Sequence, residues 1–199
     1  MVSQKPGPGL KRYYRLEAEQ LRRLERRRAG LKMRPAKTLD NLRVEIAANI
    51  GSAAELEPAW QNGAEAVGLF RSETLFLERD TPPGEDEQFM AYSRAARSAR
   101  GRTVIIRTLD VGGDKRLPYL ALPLEDNPIL GFRAVRFYGE HEALIRCQLR
   151  AILRAASHGR LKVMVPMVTG REEIRLVRRL LHEAAADHRP RQPQAGEPL

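Results

Sequence analysis

The chain has 199 residues, of which 42% are apolar and 30% charged, a balance that excludes a disordered chain and leaves room for one good core, with or without an appendage. No apolar run approaches the roughly 20 residues that span a bilayer, and residues 1–15 hold no apolar stretch of signal-peptide length, so no membrane role is expected. Cys147 stands alone, which excludes an intrachain disulfide and fits a reducing cytoplasm, the compartment expected for this chain.

The net charge of +10 is concentrated: residues 1–40 carry 12 Lys/Arg against 4 Asp/Glu, residues 41–199 carry 23 against 21. Residues 1–9, punctuated by Pro and Gly, read as loose. Leu10 to about Leu31 reads as a helix with one narrow stripe, Leu10, Tyr14, Leu21, Leu24 and Leu31, on a very basic surface. Such a helix is a connector, or a packing partner for something else. A basic helix can also bind nucleic acid, but no base-reading motif accompanies it, and neither a nucleic-acid nor a membrane partner is expected. Pro35 breaks the pattern.

From there the chain alternates. Val44–Asn49 reads as a strand, followed by a Ser-capped helix from Ser52 to about Asn62. Ala66–Phe70 is a second strand, and Gly84–Ala99 a helix with acidic residues in its first turn, where the helix dipole favours them. Thr103–Arg107 is a third strand, and Gly131–Gly159 reads as largely helical with a Gly stop. Leu161–Pro166 is a fourth strand, Arg171–Ala186 its helix, and the tail is turn-like or disordered. Strand–helix repeats with short, continuously apolar strands predict a parallel sheet covered by helices, in an open doubly wound form or a closed (β/α)8 barrel. Four such units amount to half a barrel.

Two of these apolar strands end abruptly in arginine, "AVGLFR" at Arg71 and "VIIR" at Arg107. In parallel α/β folds ligands sit outside the carboxyl ends of the strands, and arginine suits bidentate recognition of phosphate and carboxylate. Two arginines at equivalent strand ends therefore point to a small ligand with two or three negative charges. The alternative is local pairing, Arg71 with Glu73 or Arg107 with Asp110. "DVGGDK" adds Gly112 and Gly113, where backbone amides can approach a ligand, and Lys115, a point charge for phosphate. Arg133 and Arg136 are expected at the opening of the long helix, where anions also bind, or else as surface residues.

Four motifs in order, "NGAEAVGLFRSETLFLERDTPPGEDEQF", "IIRTLDVGGDKRLPY", "NPILGFRAVR" and "QLRAILRAASHGRLKVMVPMV", resemble the phosphoenolpyruvate (PEP)-binding barrel of enzyme I, the PEP–protein phosphotransferase family of the bacterial sugar phosphotransferase system. The resemblance runs from about Thr38 to Val177. Pyruvate phosphate dikinase and PEP synthase share the strand-end arginines, but "RTLDVGGDK" with the following "LPY" is similar to enzyme I. The resemblance implies a (β/α)8 barrel of TIM type with about four βα units present in residues 38–186, a basic linker helix within 1–37, and a tail at 187–199. It implies that Arg71 and Arg107 clamp the phosphate of PEP with Arg133 as helper, and that Glu73, Asp110, Gly112, Gly113 and Lys115 support them. In the family Mg²⁺-bound PEP gives its phosphoryl group to a histidine on a swivelling domain, and HPr receives it next.

The family's other chemical parts are not matched. His141, His158, His182 and His188 lie in helical or tail contexts rather than in the family's Gly-rich Thr/Ser-His motif. The family's Mg²⁺ ligands come from strands beyond Leu199, and Cys147 matches a helix position rather than the family's catalytic loop. No catalytic or metal-binding residue is assigned to this chain. The expectation is a PEP-binding part of a phosphotransferase, inactive alone and completed by self-association or a complementary barrel half. The alternative is a catalytically dead, PEP-binding regulatory module that docks on intact enzyme I.

Overall fold

A proline in the first turn and a glycine just past the last bracket helix α1 (Pro8–Ala29), none of whose residues is buried. The computed structural model describes residues 7–32, 34–112, 117–120, 122–123 and 125–188. Helix α5 runs to His188, two residues into the stretch expected as a tail, and residues 189–199 lie outside the described residues. Two short strands, β1 (Ala36–Lys37) and β2 (Arg43–Val44), form an antiparallel pair. They close over a turn in which Thr38 N–H donates to the Leu42 carbonyl at 2.9 Å and Asn41 takes φ 69°.

Four parallel strands follow in the spatial order β3 (Ala47–Ile50), β4 (Ala66–Arg71), β5 (Val104–Arg107) and β6 (Leu161–Met164). They alternate with α2 (Leu56–Gln61), α3 (Glu85–Ser98), α4 (Glu142–Ala155) and α5 (Arg171–His188). The expected strand–helix alternation and parallel sheet are therefore present. Two elements differ from the sequence reading. The strand expected over Val44–Asn49 splits, its first residue pairing in the small hairpin and its later ones in the main sheet. The helix expected over Gly131–Gly159 is α-helical only from Glu142, after a separate 3-10 turn at Ala134–Phe137 whose first residue has φ 54°.

Two apolar clusters hold these elements. In the first, Phe70, Val104 and Ile106 from the sheet pack on Tyr92, Ala95 and Ala99 of α3 and Ala151, Ile152 and Ala155 of α4. In the second, Leu109, Val111, Val135, Phe137 and Tyr138 from the long connection after β5 pack on Ile145 and Leu149 of α4 and Val177 and Leu180 of α5. Because strand side chains alternate, the buried Phe70–Ile106 row leaves its neighbours on the other face. That face carries Asn49, Leu69, Ile105 and Lys162 in one row, all partly or largely exposed. No helix among the described residues is long and apolar enough to cross a membrane.

Candidate functional site

Arg71 and Arg107 are direct cross-strand partners in the β4–β5 register, and Met164 sits opposite Arg107 on β6. In-register parallel partners lie about 4.8 Å apart and point to the same side of the sheet. Both arginines thus occupy the carboxyl edge, on the face that the helices leave open, two residues beyond Leu69 and Ile105. Their surroundings differ. Arg71 is exposed, and among the described residues it has no carboxylate partner. Its guanidinium lies beside Gly51, at the end of β3, where an added Cβ would come within 3.9 Å of Nη2.

Arg107 has a side chain only 15% exposed, set between two carboxylates. Nη2 donates to Glu73 Oε1 at 2.5 Å and Nη1 lies 3.0 Å from Asp110 Oδ2. The local-pairing alternative thus holds for Arg107 and Asp110, whereas Glu73 pairs across strands with Arg107. Asp110 in turn accepts from Arg133, whose Nε and Nη2 lie 3.2 and 2.8 Å from Oδ1. Two guanidinium groups, those of Arg107 and Arg133, therefore pack on two buried carboxylates. Glu73 and Asp110 hold these two arginines in place, and Arg71 stands at the exposed rim with no carboxylate partner among the described residues.

The turn Ser72–Leu75 that follows β4 carries Glu73 to this point, and Thr74 Oγ1 ties it to the Gly51 carbonyl at 2.8 Å. Gly112 has φ 117°, and a Cβ there would meet Arg133 Cβ at 2.6 Å. The close approach expected at this glycine is to Arg133. The other two members of the "GGDK" expectation, Gly113 and Lys115, lie outside the described residues. Arg133 and Arg136 do not open the long helix. Arg133 precedes the Ala134–Phe137 turn and Arg136 lies within it, where Arg136 Nη1 binds the Leu130 carbonyl and, at 2.7 Å, that of Gly131.

Beneath the arginines runs a buried polar network that the sequence reading missed. Ser72 Oγ donates to the Arg107 carbonyl at 2.6 Å. Gln148 Nε2 donates to Ser72 Oγ and to Tyr92 Oη, each at 3.0 Å, and Gln148 Oε1 accepts from Leu109 N–H at 2.9 Å. Tyr138 Oη lies 2.8 Å from both Thr108 Oγ1 and the Leu109 carbonyl. Burial pushes both phenols above their ordinary range, so they remain protonated. The available signal was a glutamine inside the apolar stripe Ile145–Leu149–Ile152 of α4.

The histidines lie elsewhere: His141 precedes α4 against Phe137, His158 stacks near Phe89 beside Arg97, and His182 is on α5, which ends at His188. Burial pushes the half-buried Cys147 thiol up, and its sulfur takes a weak hydrogen bond from Gln88 at 3.7 Å. Among the described residues no three His, Cys, Asp or Glu side chains come together to hold a metal ion, and Glu73 and Asp110 are both engaged with arginines.

The sequence profile of the family described as "PEP-utilising enzyme, PEP-binding domain" matches residues 25–196. Multiphosphoryl transfer protein 2 of Escherichia coli strain K12 is 48% identical over 179 residues, which is 90% of this chain and 22% of that protein. The phosphoenolpyruvate-protein phosphotransferase of Haemophilus influenzae is 46% identical over 161 residues, 81% of this chain and 28% of that protein. A multiphosphoryl transfer protein of Rhodobacter capsulatus is 50% identical over 150 residues, 75% of this chain and 18% of that protein. The chain spans 18–28% of the length of these relatives. With a profile match over most of its length, the chain belongs to the PEP-utilising enzyme family, through its PEP-binding domain.

Proposed function

We propose that this chain is the PEP-binding part of a phosphoenolpyruvate–protein phosphotransferase, which moves the phosphoryl group of PEP to an enzyme histidine and on to HPr for sugar uptake in the cytoplasm. The observation that carries this reading is the pairing of Arg71 with Arg107 in register at the carboxyl edge, with Arg133 joined to Arg107 through Asp110. In this reading Arg71 and Arg107 grip the phosphate, with Arg133 beside them, because fixed positive charge around a transferring phosphoryl group is the main catalytic device available to a protein. Residues 38–186 are the first part of a (β/α)8 barrel, and residues 1–37 contain its linker helix. Magnesium would offset negative charge on the phosphoryl group. The described residues here do not assemble a site for it, and no step of this chain runs through one. Gly113 and Lys115 remain candidate supports.

The test is a calorimetric titration of PEP into the chain and into Arg71→Ala. Arg71 is exposed, so the variant keeps its fold, and losing one charge-assisted contact is expected to weaken binding by about ten- to a hundredfold. Equal affinity in the two proteins would sink the proposal. With labelled PEP, Mg²⁺ and HPr, the chain alone is expected to leave HPr unlabelled. Label on HPr would mean that one of its four histidines carries the phosphoryl group.

A further inference from the structure

A second group of cations gathers at the amino edge of the sheet, opposite Arg71 and Arg107. A cleft of about 330 Å³ is lined there by Lys32, Arg34, Arg43 and Arg102, against one carboxylate among its described lining residues, Glu65. Lys32 and Arg34 belong to the segment after α1, Arg43 to β2, and Arg102 stands two residues before β5. Glu65 is taken by Arg43, 3.1 Å away, and the Arg102 guanidinium lies over the Trp60 ring, 4.6 Å from its centroid. Lys32, Arg34 and Arg102 have no carboxylate partner among the described residues. The backbone fixes the cleft. Gly63 has φ 90°, and a Cβ there would fall 1.7 Å from the Lys32 carbonyl oxygen, so only glycine lets the segment after α1 seat on the turn after α2. Trp60 is buried, with its indole N–H on the Ser98 carbonyl at 3.4 Å and its ring in the sheet-side core.

We infer that this cleft binds a free, compact anion of the inorganic pyrophosphate class. Cations that share a cleft without carboxylates repel one another, and an anion with several charges relieves that repulsion. Arginine forks suit phosphate oxygens, and a lysine adds a point charge. The volume lies at the lower end of the range of about 300–1,000 Å³ in which small ligands are held. Arg102 already covers Trp60 where the core does not, so no aromatic face is left for a nucleobase to stack on. From Arg102 to Arg107 the chain advances about 17 Å at the rise of a strand, which makes this site separate from the carboxyl-edge arginines and independent of the PEP reading. An anion held here joins the segment after α1 to the amino edge of the sheet.

Trp60 is the only tryptophan in the chain, so its fluorescence reports on the Arg102 guanidinium above it. The test is a titration of inorganic pyrophosphate into the full chain, without magnesium and at low salt, followed by Trp60 fluorescence and by calorimetry. Circular dichroism checks that each variant is folded. A saturable fluorescence change is expected, with an affinity that falls as salt rises. Lys32→Ala and Arg34→Ala, both at exposed positions, are each expected to weaken binding about tenfold or more. Arg71→Ala is expected to keep the fluorescence response, and ADP to bind more weakly than pyrophosphate. No saturable response at millimolar pyrophosphate overturns the inference. So does a response that survives the loss of Lys32 and Arg34 together, or one that disappears with Arg71, because the anion then sits elsewhere. Heat of binding with no change in Trp60 fluorescence overturns the site as drawn. ADP bound more tightly than pyrophosphate overturns the assignment to a free inorganic anion.

Discussion

Gln148 uses its amide fully, with Oε1 receiving the Leu109 N–H and Nε2 serving both Ser72 and Tyr92. Replacing it by leucine keeps the volume but leaves a buried N–H and two buried hydroxyls short of a partner. Such groups cost about 1–3 kcal/mol each when no water reaches them, and the network shares the loss. Gln148→Leu is therefore expected to destabilise the chain by about 2–4 kcal/mol in urea unfolding, and a change under about 1 kcal/mol would show that the network adapts. Because Ser72 holds the Arg107 carbonyl, the same substitution should loosen the arginine as well. Arg107 and Arg71 were legible in the sequence, since a guanidinium ending an apolar run has no structural need to be there. The partner of Glu73 was not. Arg71 lies two residues from it and Arg107 lies 34 residues away, and only the register of β4 on β5 puts the distant one within reach. Gln148 was hidden for a related reason, because a polar residue in a helical stripe gains meaning only from what the sheet brings against it.

Glu85, in the first turn of α3, fastens that helix to α4. Its oxygens accept from Arg150 Nε and Arg154 Nη1, both at 2.7 Å. Burial alone would raise the Glu85 carboxyl, but the hydrogen bonds from Arg150 and Arg154 outweigh it and hold the group below its ordinary value. A carboxylate depressed in the folded state contributes stability that is complete above its unfolded value, about 4.3, and is lost as pH falls through the folded one. Glu85→Gln is accordingly expected to melt below the wild type at neutral pH, with the gap shrinking as pH drops below about 4.3 and closing beneath the depressed value. A gap independent of pH would mean that the clamp acts through packing alone. Strands and helices such as β4, β5, α3 and α5 were legible because period and caps agreed. The stretch 131–141 was not. Its residues are compatible with a helix, yet contacts that no local pattern encodes hold it in a turn: Arg136 on the Leu130 and Gly131 carbonyls, and Phe132 N–H on Glu125 at 2.8 Å.

Across the whole molecule, the arginine cluster sits at the seam between the two apolar clusters. Ile106 belongs to the sheet-side core, Leu109 and Val111 to the core under α5, and Arg107 lies between them. Arg71 ends β4, Arg107 ends β5, and Arg133 belongs to the long connection packed on α4 and α5. A dianionic ligand held by all three would cross-link the strand edge to that connection, so its binding should stabilise both cores together. A ligand that binds only the folded chain raises its stability by mass action, about 2.7 kcal/mol at a hundredfold excess over Kd. For a chain of this size that corresponds to a midpoint rise of about 5–10 °C. PEP is expected to move a single unfolding transition upward by that order. Arg71→Ala should leave the ligand-free midpoint in place, because the side chain is exposed and unpaired among the described residues, and should remove most of the rise. If the midpoint without ligand fell in that variant, Arg71 would be holding the fold instead of a ligand. If PEP raised both proteins equally, the anion would be bound elsewhere on this basic chain. If two transitions appeared and PEP moved only one, the connection after β5 would be folding separately from the strand edge that it completes.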